Sequence, residues 1–220
     1  MDSHASAVIF DWDPLWVSSI VFVITYVLIV SEKINRSIIA LLGAGLMISL
    51  GVLNQQTAIN GVDFNTLGLL TGMMVIVAIS RRSGVFQFVA IWAAKKVDAR
   101  PWGILFMLSL VTAIFSALLD NVTTVLLIAP VTLLITDELK VHPYPFLFAE
   151  IFASNIGGTA TLIGDPPNIM IGSAVNLTFN DFLVNLAPIT LVIFPVTMLI
   201  IYLIWGRHMH AADKDRERIM

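Results

Sequence analysis

Cysteine is absent from the 220-residue chain, which excludes a disulfide framework and any thiolate-ligated metal. Charge is scarce as well: Asp, Glu, Lys and Arg make up 12% of residues against 58% hydrophobic ones, and the mean hydropathy is +0.91. The formal charge of -3 is spread without blocks, so no basic surface points to a nucleic-acid partner. No Walker A sequence occurs, and coupling to ATP would need a separate subunit. What remains is apolar sequence in long runs, neither alternating nor heptad-spaced as in a soluble core. That pattern reads as an all-α polytopic membrane protein whose first partner is the lipid bilayer.

The first run, 15–30, resembles a signal peptide only superficially. Asp2, Asp11 and Asp13 stand where a basic region belongs, and Ser31-Glu32-Lys33 replaces a small-residue cleavage site, so the run is expected to stay as a helix. Further spans are expected over 37–53, 64–80, 145–175 with an interruption, and 181–205, each near the roughly 20 residues a crossing needs. Residues 101–137 form two apolar arms joined at Asp120-Asn121-Val122-Thr123-Thr124, a pattern that fits a re-entrant hairpin or two full spans. Segment 85–94, with Trp92 inside and Lys95-Lys96 at its end, is short for a crossing and reads as an interfacial helix.

The 12 Lys and Arg residues fall at Lys33, Arg36, Arg81, Arg82, Lys95, Lys96, Arg100, Lys140, Arg207, Lys214, Arg216 and Arg218. Under these spans all lie on one side, which the positive-inside rule makes cytoplasmic. The N-terminus and loops 54–63 and 176–181 would then be external, in a cell (inner) membrane. The domains follow: an external tail 1–14, scaffold helices 15–100, a transport core 101–175 (hairpin 101–137, broken helix 145–175), a last span 176–206 and a cytoplasmic tail or linker 207–220. About five crossings plus a hairpin put the termini on opposite faces. An odd-span unit of this kind is what an inverted-topology repeat is made of, and it calls for a second inverted half or a homo-oligomeric partner.

The chemistry concentrates in residues 154–168, Ser-Asn-Ile-Gly-Gly-Thr-Ala-Thr-Leu-Ile-Gly-Asp-Pro-Pro-Asn, set inside an otherwise apolar segment. Non-helical backbone at membrane depth is tolerated only where protein buries it or where it lines a watery cavity. Asp165 followed by Pro166 is expected to act as N-cap and N1 of a half-helix, its carboxylate accepting from orphan amides. Asp120 and Asn121 play the same part for the arm 122–136. Freed carbonyls with Thr and Asn oxygens suit a hard cation, and helix N-termini suit an anion. Gly157 and Gly158 permit close backbone approach. The candidate ion or substrate site therefore comprises Asp120, Asn121, Thr123, Thr124, Ser154, Asn155, Gly157, Gly158, Thr159, Thr161, Asp165 and Asn168, with Glu150 as a candidate proton site.

These two stretches together resemble the ion transporter superfamily, in particular the arsenite-pump and NhaD-like permeases and the citrate-transporter-like P protein. The ending Gly164-Asp165-Pro166-Pro167-Asn168 is most similar to the P-protein-like branch. The resemblance covers roughly 15–205 and corresponds to the N-terminal half of that family. It implies a re-entrant hairpin and a broken helix, with Asn121 and Thr123 at the tip and Asn155, Gly157, Gly158 and Asn168 in the break at the ion or substrate site. A bound Na⁺ would draw on Asn121, Thr123, Gly157 and Asn168. No other cofactor is implied beyond Na⁺ or H⁺ as coupling ion.

Simpler readings exist for each feature. Asn121, Thr123 and Thr124 fit a turn cap, and Gly157 and Gly158 fit helix-packing glycines, as do Gly43, Ala44, Gly45, Ser49 and Gly51. Glu150 fits a partnered structural acid equally well. Arg81 and Arg82 read as topology anchors, and His208 and His210 as a polar tail more than as a metal pair. Acids without Lys or Arg at membrane depth favour H⁺ or Na⁺ handling. The expected function is thus a cation-coupled secondary transporter exchanging Na⁺ and H⁺ or coupled to H⁺. Arsenite or antimonite efflux and Na⁺-coupled uptake of a carboxylate or other small anion are the alternatives. An intramembrane aspartyl protease would pair Asp120 with Asp165, but Leu162-Ile163-Gly164-Asp165 lacks the first Gly of its signature. The chain is therefore expected not to be an enzyme.

Overall fold

The computed structural model describes residues 12–209, 211, 212 and 214, without the side chain of His208. Asp2, Asp11, His210, Arg216 and Arg218, which entered the topology and tail readings, lie outside the described residues. Every regular element among the described residues is helical. The chain divides into a unit up to Asp63 and a unit from Phe64 onward.

The first unit is a helical hairpin. Asp13 caps α1 (Pro14–Val30) by accepting the Leu15 amide, and Asn35 caps α2 (Arg36–Ser49) by accepting the Ser37 amide, each at 2.9 Å. The helices cross where Gly43 meets Thr25: a Cβ on Gly43 would lie 2.6 Å from Thr25 Oγ1. Val17 and Val21 pack with Met47, Leu50 and Val52 at the other end. Of the small residues in α2, Gly43 is a packing glycine, whereas a Cβ on Gly45 would meet open space. Gly51 has a third role. Its φ of 76° stops the helix, with the Gly51 amide on Ile48 O at 3.0 Å and the Val52 amide on Met47 O at 3.1 Å, which is a Schellman ending. That ending leaves α2 with 14 residues, shorter than the expected span. Asn54 then caps α3 (Gln55–Asn60).

The second unit is built around a helix pair and its flanks. α4 (Phe64–Arg82) ends in Arg81 and Arg82, and Gly84, at φ 74°, turns the chain into α5 (Val85–Lys96). The short α5 forms as expected, with Lys96 placed 4.8 Å from the Trp92 ring centroid. Its other face is buried through Phe86, Ala90, Ala93 and Ala94, and Phe86 meets Phe115 edge-on at 5.1 Å. α6 (Pro101–Leu118) and α7 (Asn121–Glu138) are joined only through Leu119 and Asp120. Each arm has 18 residues, about 27 Å of helix, so length alone fits a full span and a deep hairpin alike. α8 (Tyr144–Thr159) packs between them: it runs parallel to α6 and antiparallel to α7. Leu105, Leu108, Val131, Ile135, Phe146 and Ala149 bury one another along this seam.

The break expected inside 145–175 is present, with α9 (Pro166–Val175) following it. The last expected span is divided. Thr178 and Asp181 form a capping box on α10 (Phe179–Asn185), and α11 (Ala187–Ile204) starts afresh with Pro188 in its first turn. A proline there has no amide to continue the preceding helix. α11 packs on α6 through Trp102–Tyr202 and Phe106–Phe194, with centroids at 4.8 and 6.0 Å. Among the described residues four helices, α4, α6, α7 and α11, are long and apolar enough to cross a membrane, while α1 and α2 are shorter apolar helices. Together they make this a multi-pass membrane protein.

Candidate functional site

The tip of the α6–α7 pair and the α8–α9 break meet in one place. Asn121 Nδ2 donates to Asn155 Oδ1 at 3.3 Å, and the Asn121 amide donates to Gly164 O at 3.2 Å. Thr161 Oγ1 donates to Ala117 O at 2.6 Å and accepts the Gly164 amide at 3.1 Å. Below them Ser116 Oγ donates to Ser154 O at 2.6 Å. The freed carbonyls of the break converge on one side chain: Asn168 Nδ2 faces Thr161 O at 2.9 Å and Gly158 O and Thr159 O at 3.4 Å. Irregular backbone is thereby stitched by side chains, as burial in an apolar setting demands.

Close packing makes the stitching possible. A Cβ on Gly157 would fall 2.0 Å from Ala113 O, one on Gly158 2.6 Å from Gly164 O, and one on Gly164 2.6 Å from Ser116 O. These glycines hold backbone against backbone. The packing reading of Gly157 and Gly158 is therefore correct, and it serves the site.

The capping residues behave differently from each other. Asp120 Oδ2 accepts the Thr123 amide at 2.9 Å, as expected. Asp165 stands at the N-cap of α9, but its carboxylate caps no amide, which corrects the expected role. Pro166 and Pro167 have no N–H to offer, and the Asn168 amide turns to the Asp165 backbone carbonyl at 3.0 Å. Asp120, Asn121, Thr123, Asp165 and Asn168 are half-buried, Asn155 and Thr159 are exposed, and Thr124, Ser154, Gly157, Gly158 and Thr161 are buried. Ser154 and Thr159 spend their hydroxyls on the helical carbonyls of Ile151 and Asn155. Asn168 also borders an open cleft of about 390 Å³ with Ile171, Leu177, Asp181 and Phe182.

Of the oxygens proposed for Na⁺, Gly157 O already accepts the Ala160 amide at 3.0 Å, and Asn121 Oδ1 accepts the Val122 amide at 2.8 Å. Asn168 donates with its nitrogen, so its Oδ1 stays available, and the Asp165 carboxylate is the strongest acceptor not engaged in capping. Glu150 is not part of this cluster. It lies about one turn down α8 from Ser154, bonded to Thr132 of α7.

Sequence reading missed the α6 contribution. Ala113, Ser116 and Ala117 receive α8 and the break, and the buried Ser109 and Thr112 continue their face at helical spacing. The signal was legible as a small-residue stripe in an apolar helix.

Comparison with known proteins fits this architecture. The citrate transporter family model matches residues 26–219. The chain belongs to the citrate transporter family. A Mycobacterium tuberculosis protein named as an uncharacterized transporter is 50% identical over 200 residues, covering 89% of this chain and 46% of that protein. A 46 kDa membrane protein of Mycobacterium leprae is 51% identical over 177 residues, with 79% and 41% covered. The human P protein is 38% identical over 199 residues, covering 84% of this chain and 23% of its own length. The chain thus spans about half the length of its mycobacterial relatives. Its membership makes it a transporter-family protein, and the P-protein likeness agrees with the Gly-Asp-Pro-Pro-Asn ending.

Proposed function

We propose that this chain supplies one repeat unit of a cation-coupled secondary transporter, working with an inverted second half or an oppositely inserted partner. The observation that supports this most directly is the Asn121–Asn155 hydrogen bond joining two helix breaks, with a carboxylate at each break. Such a meeting of discontinuous helices is how transporters build cation sites from freed carbonyls and side-chain oxygens. Na⁺/H⁺ or H⁺-coupled exchange is the leading reading because the acids at the junction have no basic residue beside them in α6, α7, α8 or α9.

Uptake of a small carboxylate with Na⁺ is the second reading, favoured by the family description and by the α9 N-terminus, whose dipole suits an anion. Arsenite efflux ranks behind it. The positive residues support an external N-terminus and a cytoplasmic C-terminal end. Flux into proteoliposomes under imposed Na⁺ and H⁺ gradients tests the proposal: citrate-independent pH change driven by Na⁺ supports exchange, and Na⁺-dependent accumulation of labelled citrate supports uptake. Flux that follows only the solute's own gradient would reject coupling.

A further inference from the structure

Glu150 is 1% exposed, and among the described residues its one hydrogen-bond partner is Thr132 Oγ1, which donates to Oε1. Oε2 has none, and neither do the fully buried hydroxyls of Ser109 and Thr112 on α6. Thr112 lies one turn before Ser116 on α6 and Glu150 one turn before Ser154 on α8, and Ser109 continues the α6 stripe. A carboxyl oxygen and two hydroxyls without partners are thus buried on helices whose seam is packed by Leu105, Leu108, Val131 and Ala149. Buried polar groups are seldom left unpaired without a use.

Charge balance narrows that use. The helices packed on α8 are α6, α7 and α11, and none carries Lys or Arg. Their titratable groups are Asp120 at the α7 cap, Asp137 and Glu138 in the last turn of α7, and Tyr202 on α11. Asp137 and Glu138 are exposed, with Asp137 paired to Lys140, and Tyr202 lies on Trp102. An ionised carboxylate here would lack any fixed counter-charge, a costly state in an apolar interior.

We propose that Glu150 is a proton-carrying site, separate from the ion site at the helix breaks, with Thr132, Thr112 and Ser109 as its hydrogen-bonding partners in the protonated and exchanging states. The seam lies along α8 directly beneath the break, so a proton bound there stands in mechanical line with Ser154 and Asn155. The inference deepens the exchange reading, yet its test does not depend on transport.

The test is pH-difference infrared spectroscopy of the purified protein in liposomes, with H⁺ alone as the probe, watching the protonated-carboxyl C=O band and its deuterium shift. The expected result is a pH-dependent band that Glu150→Gln abolishes and Asp165→Asn retains, and that Thr132→Val and Thr112→Val move in frequency while leaving its intensity. Because Glu150→Gln is nearly isosteric, its size-exclusion profile and helical circular dichroism serve as fold controls, and the Thr variants give an independent readout. A Glu150 band that stays constant from acid to alkaline pH would mean a purely structural acid and overturn the proposal. A band that answers to Na⁺ at fixed pH and not to pH would overturn it in favour of a Na⁺ site. Loss of the break-site reading shows differently: transport that ignores Asp165→Asn leaves the infrared result untouched.

Discussion

Asp120 and Asp165 each stand before a helix in the same corner of the molecule, and their carboxylates are spent in different ways. Asp120 precedes Asn121-Val122-Thr123, whose amides are all present, and its carboxylate settles on Thr123 N. Asp165 precedes Pro166-Pro167, which withhold the first two amides of α9, and the third, Asn168 N, bonds the Asp165 backbone carbonyl. Paired prolines thus start a helix by fixing φ while leaving the preceding side chain unused. One aspartate is engaged by local structure, and the other leaves a carboxyl group without a capping bond at the junction of the two breaks. The experiments below attack that contrast, starting with the packing that brings the breaks together.

Gly157→Ala has the largest expected effect. Its Cβ would overlap the Ala113 carbonyl at 2.0 Å, backbone that cannot swing aside, so α6 and α8 must separate and the Asn121–Asn155 bond is lost. The expected cost is about 3 kcal/mol or more, seen as a collapse in thermal stability by size-exclusion after heating. Gly45→Ala is the control, because its Cβ meets nothing within 4 Å and helix propensity improves by about 0.5–1 kcal/mol. Equal stability of the two variants would break the claim that the break is held by backbone contact.

Asp165→Asn should come next, and in function only. With no amide capped, loss of charge leaves folding intact, while cation-driven flux falls by about tenfold or more, the loss of about 1.4 kcal/mol that a charge-assisted contact supplies. Flux with unchanged Na⁺ and pH dependence would assign coupling elsewhere, Glu150 first. Asp120→Ala should do the reverse in part, costing about 1 kcal/mol of stability through the lost cap, with Asp120→Asn recovering most of it. Asp165→Ala should change the melting temperature little. A drop equal to that of Asp120→Ala would erase the difference between the two aspartates.

Much of this was readable from the chain. The long runs, the tip at 119–124 and the polar stretch at 154–168 announce themselves because apolar surroundings make polar residues conspicuous. The α9 limits followed from Pro166 and from the end of the run at Val175, where Asn176 takes a left-handed φ of 57°. What escaped depended on partners distant in sequence. Ser109, Thr112 and Ser116 look ordinary in an apolar helix until α8 lies against them. The shortness of α2 was hidden because Gly51 resembles the packing glycines around it, though only it has a positive φ. The unused Asp165 carboxylate has a simpler cause: a cap needs an amide, and the two prolines leave only Asn168 N, which bonds the Asp165 carbonyl instead.

Pro167→Ala isolates that second proline and carries the smallest expected effect. Position 167 is exposed, so the substitution disturbs no packing and restores one amide at the N2 position of α9, where an N-cap carboxylate can bond it. Stability should barely move, because about 1 kcal/mol from the new cap offsets the 0.4–1 kcal/mol, roughly, lost with the stiff ring. Function should register the change. A cation must now compete with a cap worth about 1 kcal/mol, so its apparent affinity should weaken about fivefold. That weakening should disappear in the Asp165→Asn background, where no charge remains to be diverted. An affinity shift of the same size in both backgrounds would mean that Pro167 acts through the backbone of α9, and the contrast between the two aspartates would then rest on helix geometry alone.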